Sequence, residues 1–156
     1  MSTNPKTIIE SYVTLFRDVP GLVTAIGGNA ADIFALHVER NNVTDLLLTV
    51  NQLKRSAAML YYEGTQPVRG AGGREVLNNS FRLAVKLTNQ SDYMDFWSAF
   101  INGVPVSGTR KLTECQVATC LDPMRDYAIA RQSIPVSQNT SIDFSLISFS
   151  VRQSGC

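Results

Sequence analysis

The sequence predicts an α+β fold: a single domain over residues 1–156 in which an antiparallel or mixed β-sheet is packed by two to three helices. Helix-period apolar spacing opens the chain, strict alternation marks a strand in its middle, and a long apolar strand closes it. At 156 residues, 44% of them hydrophobic, the chain is large enough to bury a core of its own.

The elements follow in order. Asn4 caps a first helix and Pro5 takes its first position, where a missing N–H costs nothing. Ile8, Tyr12, Leu15, Phe16 and Val19 then recur at helical steps. Pro20-Gly21 interrupts them, Leu22, Val23 and Ile26 allow one further turn, and Gly27-Gly28 ends it. Residues 29–40 fit neither period, so helix and short strand both stay open there. Val43, Leu46, Leu47, Val50 and Leu53 outline a second helix, with Lys54 and Arg55 suited to its C-terminal dipole. Ala57 to Glu63 reads as a strand closed by Gly64-Thr65-Gln66-Pro67. Phe81, Leu83, Val85 and Leu87 alternate with Arg82, Lys86 and Thr88, the clearest strand in the chain. Between these two, residues 68–79 are expected to form a long flexible loop, with Gly70, Gly72 and Gly73 flanked by Arg69 and Arg74.

Ser91 caps a short helix whose apolar face is Tyr93, Phe96, Trp97, Phe100 and Ile101, ended by Gly103. Residues 103–113 are irregular, Glu114 to Leu121 reads as a strand, and Asp122-Pro123 stops it. Met124 to Asn139 is mixed. Thr140 to Arg152 is a final strand whose apolar parity shifts between Leu146 and Ile147, which signals a bulge or a strand covered on both faces.

Charged residues make up 17% of the chain, below the usual fraction of about 25%, and such a surface hints at partners that cover parts of it. Net charge is +1 and the basic residues are dispersed, so no charge-driven duplex binding is expected. No apolar run approaches the ~20 residues of a membrane span. Met1 to Lys6 shows no signal-peptide pattern, which places the chain in a cytoplasm when it is made. The three cysteines are expected as reduced thiols: Cys115 and Cys120 on opposite faces of a strand, Cys156 exposed at the end.

The residues that carry chemistry do not assemble into a reaction centre on paper. His37 is the one histidine, it sits between apolar neighbours, and no G-x-S-x-G elbow accompanies it. The Gly70 to Arg74 stretch runs into Glu75-Val76-Leu77 rather than a lysine at a helix start, so it does not read as a phosphate cradle. Asp92 with Asp95, and Asp122 with Asp126, read as solvated or ion-paired carboxylates. No enzyme activity, cofactor or metal is expected. Of the adjacent Tyr61-Tyr62, one ring belongs to the core and the other, Tyr62, is a candidate interface anchor.

Several segments, taken together, look like one family. They are the strand Met59-Leu60-Tyr61-Tyr62-Glu63-Gly64-Thr65, the Gly/Arg loop, and the strand Phe81-Arg82-Leu83-Ala84-Val85-Lys86-Leu87. The aromatic helix ending in Phe100-Ile101-Asn102-Gly103-Val104-Pro105, the Leu121-Asp122-Pro123-Met124 turn, an Ile129-Ala130-Arg131 segment and the closing Ile142-Asp143-Phe144 strand follow in order. The pattern resembles the small tail-terminator and head–tail joining (neck) proteins of tailed bacteriophages. The resemblance implies a structural virion protein, a subunit of a hexameric ring that caps the tail tube and joins it to the head connector or stopper. Its partners would be copies of itself, the tail tube protein and the connector. DNA would pass through the ring without sequence-specific binding, and assembly would occur in the host cytoplasm. The alternative is another neck or tail component, a head-completion, stopper or minor tail protein. On this analogy Arg69, Gly70, Gly72, Gly73 and Arg74 face the lumen or clamp a neighbour. Phe149 and Val151, on the final strand, would lie at a subunit boundary or add to a neighbour's sheet.

Overall fold

The computed structural model describes residues 4–37, 42–52, 54–69, 71–73, 75–89 and 92–153, with the side chains of 42–44 and 71 left aside. Helix α1 spans Pro5–Arg17, and Asn4 caps it: its Oδ1 accepts the Thr7 N–H at 2.9 Å. Helix α2 spans Pro20–Ala25. A 3-10 turn at Ala30–Asp32 leads into strand β1, Ile33–Leu36. Helix α3 spans Asn42–Gln52, strands β2 and β3 span Ala57–Arg69 and Glu75–Lys86, and helix α4 spans Asp92–Asn102. A 3-10 turn at Leu112–Glu114 precedes strands β4, Arg125–Ser137, and β5, Thr140–Gln153.

The fold class is the expected one, in its mixed form. The five strands make one sheet in the order β1-β2-β3-β5-β4. Only β1 and β2 run parallel; the other neighbours are antiparallel. A parallel pair cannot be joined by a tight turn, and α3 is the crossover between them. The ambiguous segment after Asn29 is therefore a 3-10 turn and an edge strand as far as Leu36, while residues 38–40 lie outside the described ones.

Side chains alternate across a sheet, so each strand serves two layers. One face carries Ala58, Leu60, Phe81, Leu83, Val85, Ile147, Phe149 and Val151, and α1, α2 and α4 close over it. Tyr12, Phe16 and Phe81 surround Phe149 with ring centroids 5.2, 6.3 and 5.7 Å away. The opposite face is apolar only over one half, where Met59, Tyr61, Ala84, Phe144 and Leu146 meet Leu46 and Leu47 of α3. The parity shift in the last strand has its cause here. β5 pairs with β3 without a register shift from Leu77↔Gln153 to Val85↔Ser145, so it contains no bulge on that side. It is covered by α3 at Phe144 and Leu146 and by α1 and α4 at Ile147, Phe149 and Val151.

Several expectations are corrected, and one open stretch is resolved. Residues 68–79 are not a long loop: β2 continues to Arg69, β3 starts at Glu75, and the two pair as far as Arg69↔Glu75. The Gly64 to Pro67 stretch that seemed to end the strand instead follows a bulge between Tyr62 and Gly64 that lets it continue. Glu114 to Leu121 is not a strand but a 3-10 turn and an irregular segment, with Leu121 bridged to Gln153. The mixed stretch from Met124 to Asn139 holds the edge strand β4, in which Pro135 is tolerated because an edge has a free side. The cysteines also differ: Cys115 is free, but Cys120 is disulfide-bonded. Cys156 lies outside the described residues, as does the expected helix cap Ser91.

Gly103 shows how closely the helical layer is set. Its N–H bonds Ala99 O at 2.8 Å and its carbonyl accepts Leu112 N–H at 2.8 Å. A Cβ there would lie 2.2 Å from Ala99 O and 2.6 Å from Val19 Cγ1. Gly103→Ala is thus expected to cost about 1–3 kcal/mol through overpacking, read as a lower denaturant midpoint at unchanged slope.

Candidate interaction surface

The half of the sheet face that α3 leaves open is polar. Glu63 and Gln66 of β2, Asn78, Ser80 and Arg82 of β3, and Ser148 and Ser150 of β5 line a groove of about 580 Å³. These are the outward partners, at alternate positions, of the core residues on the other face. Arg82 Nε meets Glu63 Oε1 at 3.0 Å within the groove. Arg125 stands 4.0 Å from Asp122. The Nε atoms of Arg125 and Arg152 and the Oδ1 of Asn78 are buried with no hydrogen-bond partner among the described residues.

The β2–β3 hairpin forms an arm. β1 accompanies β2 only to Tyr61, and β5 accompanies β3 only from Leu77, so residues 64–69 have one neighbouring strand and the tip has none. Arg69, Gly72 and Gly73 are exposed at that tip. Gly72 and Gly73 take φ of 76° and 78°, a left-handed conformation that costs glycine nothing and other residues about 1 kcal/mol or more. Gly70 and Arg74, the other two expected tip residues, lie outside the described ones.

Tyr62 sits where the arm leaves the body. It is 37% exposed, its ring packs at 5.8 Å from Phe81, and its hydroxyl meets Thr65 Oγ1. Thr65 donates onward to Asn79 Oδ1 at 2.7 Å, and Asn79 Nδ2 reaches Val151 O at 3.3 Å. This chain of polar groups holds the arm's base against the sheet. Leu77, 43% exposed, adds apolar surface beside it.

Phe149 and Val151 are corrected as boundary residues. They are 3% and 0% exposed and are buried by this chain's own helix layer. β5 has β3 on one side and β4 on the other, so it has no edge to offer a neighbour's sheet. Among the described residues the open edges belong to β1, β4 and the distal part of β2, none of which sequence reasoning singled out as edges. Pro67 and Pro135 were the signals, because proline within a sheet marks an edge.

The remaining chemical candidates are dispersed. His37 Nε2 lies 3.5 Å from Glu10 Oε1 at the surface, tying the end of β1 to α1. Arg55 closes the α3 end with its backbone N–H, which bonds Val50 O at 3.1 Å, while its side-chain Nε bonds the buried Asp32 at 2.9 Å. Asp18 accepts the Ser107 N–H at 3.0 Å and its hydroxyl as well, and these bonds hold its carboxyl below the usual range. Lys86 is lowered by burial, with Asp143 acting against the shift, while its Nζ donates to Leu87 O at 3.0 Å. Desolvation raises the Cys115 thiol. No group of three or more His, Cys, Asp or Glu is placed to hold a metal ion among the described residues. None of their helices is long and apolar enough to cross a membrane. No family model matches the chain, and no curated protein matches it significantly.

Proposed function

We propose that the chain is a structural virion subunit, a tail terminator that assembles as a homo-oligomeric ring at the head–tail junction of a tailed bacteriophage. The observation that carries this reading is the β2–β3 arm: it extends past the body of the subunit, has an open edge, and carries exposed Tyr62, Leu77 and Arg69. A projecting element of this kind serves a neighbour rather than its own core, and a ring requires such a heterologous contact. The sequence resemblance supplies the site of assembly, with the tail tube below, the head connector above and DNA in the lumen. An open sheet with four α-helices, rather than a small barrel, favours the terminator over a stopper within that resemblance.

The test is to shorten the arm's tip without touching its ladder. Replacing residues 70–74 by Asn-Gly, which suits a two-residue hairpin turn, is expected to leave the monomer's melting temperature near that of the parent chain. Yield of infectious particles should fall at least about tenfold if the tip clamps a neighbour or faces the lumen. Normal yield from a folded, shortened chain contradicts the role given to the tip.

A further inference from the structure

The groove on the open half of the sheet face is lined by the small residues Gly64, Ser80, Ser148 and Ser150, and its charges are Glu63, Arg82 and Asp126. Arg82 Nε is bound to Glu63 at 3.0 Å, so those two offset one another. Arg125 and Arg152 stand outside the lining, Arg125 beside Asp122. Asp126 remains. Its residue is exposed, and its carboxylate has no ion pair or hydrogen bond from its own chain among the described residues.

The backbone at Asp126 is unusual as well. The β4 ladder shifts register between Arg125 and Ala128, and Asp126 within that shift takes φ of 54°. A left-handed conformation costs any residue that has a Cβ, and bulges of this kind re-aim a side chain. Strain held at a surface carboxylate that bonds nothing in its own fold points to a use outside that fold.

The tip of the arm has the opposite charge. Arg69 ends β2, is exposed, and makes no ion pair with Glu75, its cross-strand neighbour. The turn after it holds Ala71, Gly72 and Gly73, so the tip is slim and its backbone can come close to another surface. The tip does not reach the groove of its own chain. Gly64 already lines that groove, and the extended strand from Gly64 to Arg69 carries the tip about 17 Å farther on. Tip and groove are thus two different patches of one subunit. A tip seated in the groove of a second copy is the heterologous contact that a ring repeats. We infer that subunits join tip to groove, Arg69 of one copy pairing with Asp126 of the next. This rests on the ring-subunit reading above and names its contact.

Neutralising one exposed charge changes little, whereas reversing it sets like charges face to face. The test is therefore sedimentation velocity at low salt on the full chain as wild type, Arg69→Glu and Asp126→Arg, with each variant run alone and the two run as an equimolar mixture. Wild type should associate as its concentration rises. Each variant alone, melting near wild type, should need at least about tenfold more protein to do so. The mixture should associate as wild type does, because each tip then finds the opposite charge in the other variant's groove. Should Asp126→Arg not fold, carbodiimide treatment of the Arg69→Lys chain decides. An amide between residue 69 of one copy and Asp126 of another, read by mass spectrometry, is expected, and an oligomer without it overturns the pairing. Variants that associate like wild type, or a mixture no better than its parts, overturn the tip-to-groove contact and leave the ring reading standing. A wild-type chain monomeric at every concentration overturns self-docking, while the head–tail role is judged separately on particles.

Discussion

Replacing Phe149 with alanine is expected to lower the unfolding free energy by about 3–5 kcal/mol. The ring lies between Tyr12 and Phe16 of α1 and Phe81 of β3, at 3% exposure, so its loss opens a cavity in the core. A loss of that size corresponds to a fall in melting temperature of about 10 °C for a domain of this length. Thermal unfolding followed by circular dichroism reads it. The result also separates two roles for the last strand. A Phe149→Ala chain that melts like the parent yet fails to assemble would return Phe149 to the subunit boundary, against its place in the core.

The second large effect is expected at Tyr93, whose ring is 1% exposed. Its hydroxyl accepts the Leu87 N–H at 2.9 Å and donates to Asp143 O at 3.1 Å. Residue 87 is just past the end of β3 and Asp143 lies where β5 has passed beyond it, so this phenol closes the gap between the two diverging strands. Burial raises its pKa, with the Leu87 bond and Arg131 pulling against the shift. Tyr93→Phe removes both of these hydrogen bonds, at an expected cost of about 2–4 kcal/mol. Urea denaturation measures it. A loss below about 0.5 kcal/mol would mean that solvent reaches the gap and the phenol is not the tie described.

The local devices of the fold were legible because each rests on few residues. Asn4-Pro5 gave the first helix its start, and Phe81 to Lys86 gave β3 its alternation. The aromatic stripe of α4 is core as expected, with Trp97 Nε1 donating to Ser145 Oγ at 2.7 Å. What escaped detection depends on partners distant in sequence. Gly64 to Pro67 carries turn-forming residues, yet β3 pairs with it across a bulge and keeps it extended. β4 is mostly exposed, so it lacks the apolar alternation that marks a half-buried strand, and its identity comes from pairing with β5. Residues 114–121 have strand-like composition but find no ladder.

The candidate surface was legible only in part. Arg69, Gly72, Gly73 and Tyr62 do lie on the exposed arm, because a glycine cluster between strands marks a hairpin tip whatever its length. Phe149 and Val151 were misplaced because apolar side chains on both faces of a strand can mean two partners or, as here, two layers of the same chain. Pro67 and Pro135 hinted at the edges of β2 and β4, but only the strand order fixes which strands are outermost. An edge is a property of the sheet and not of any segment within it.

The head–tail role is tested most directly by electron microscopy of lysates from the encoding phage with this gene deleted. A terminator subunit predicts DNA-filled heads beside unjoined tail tubes of excess or irregular length, with normal particles restored by the intact chain. Intact, infectious particles of normal shape in the absence of the gene would contradict the account.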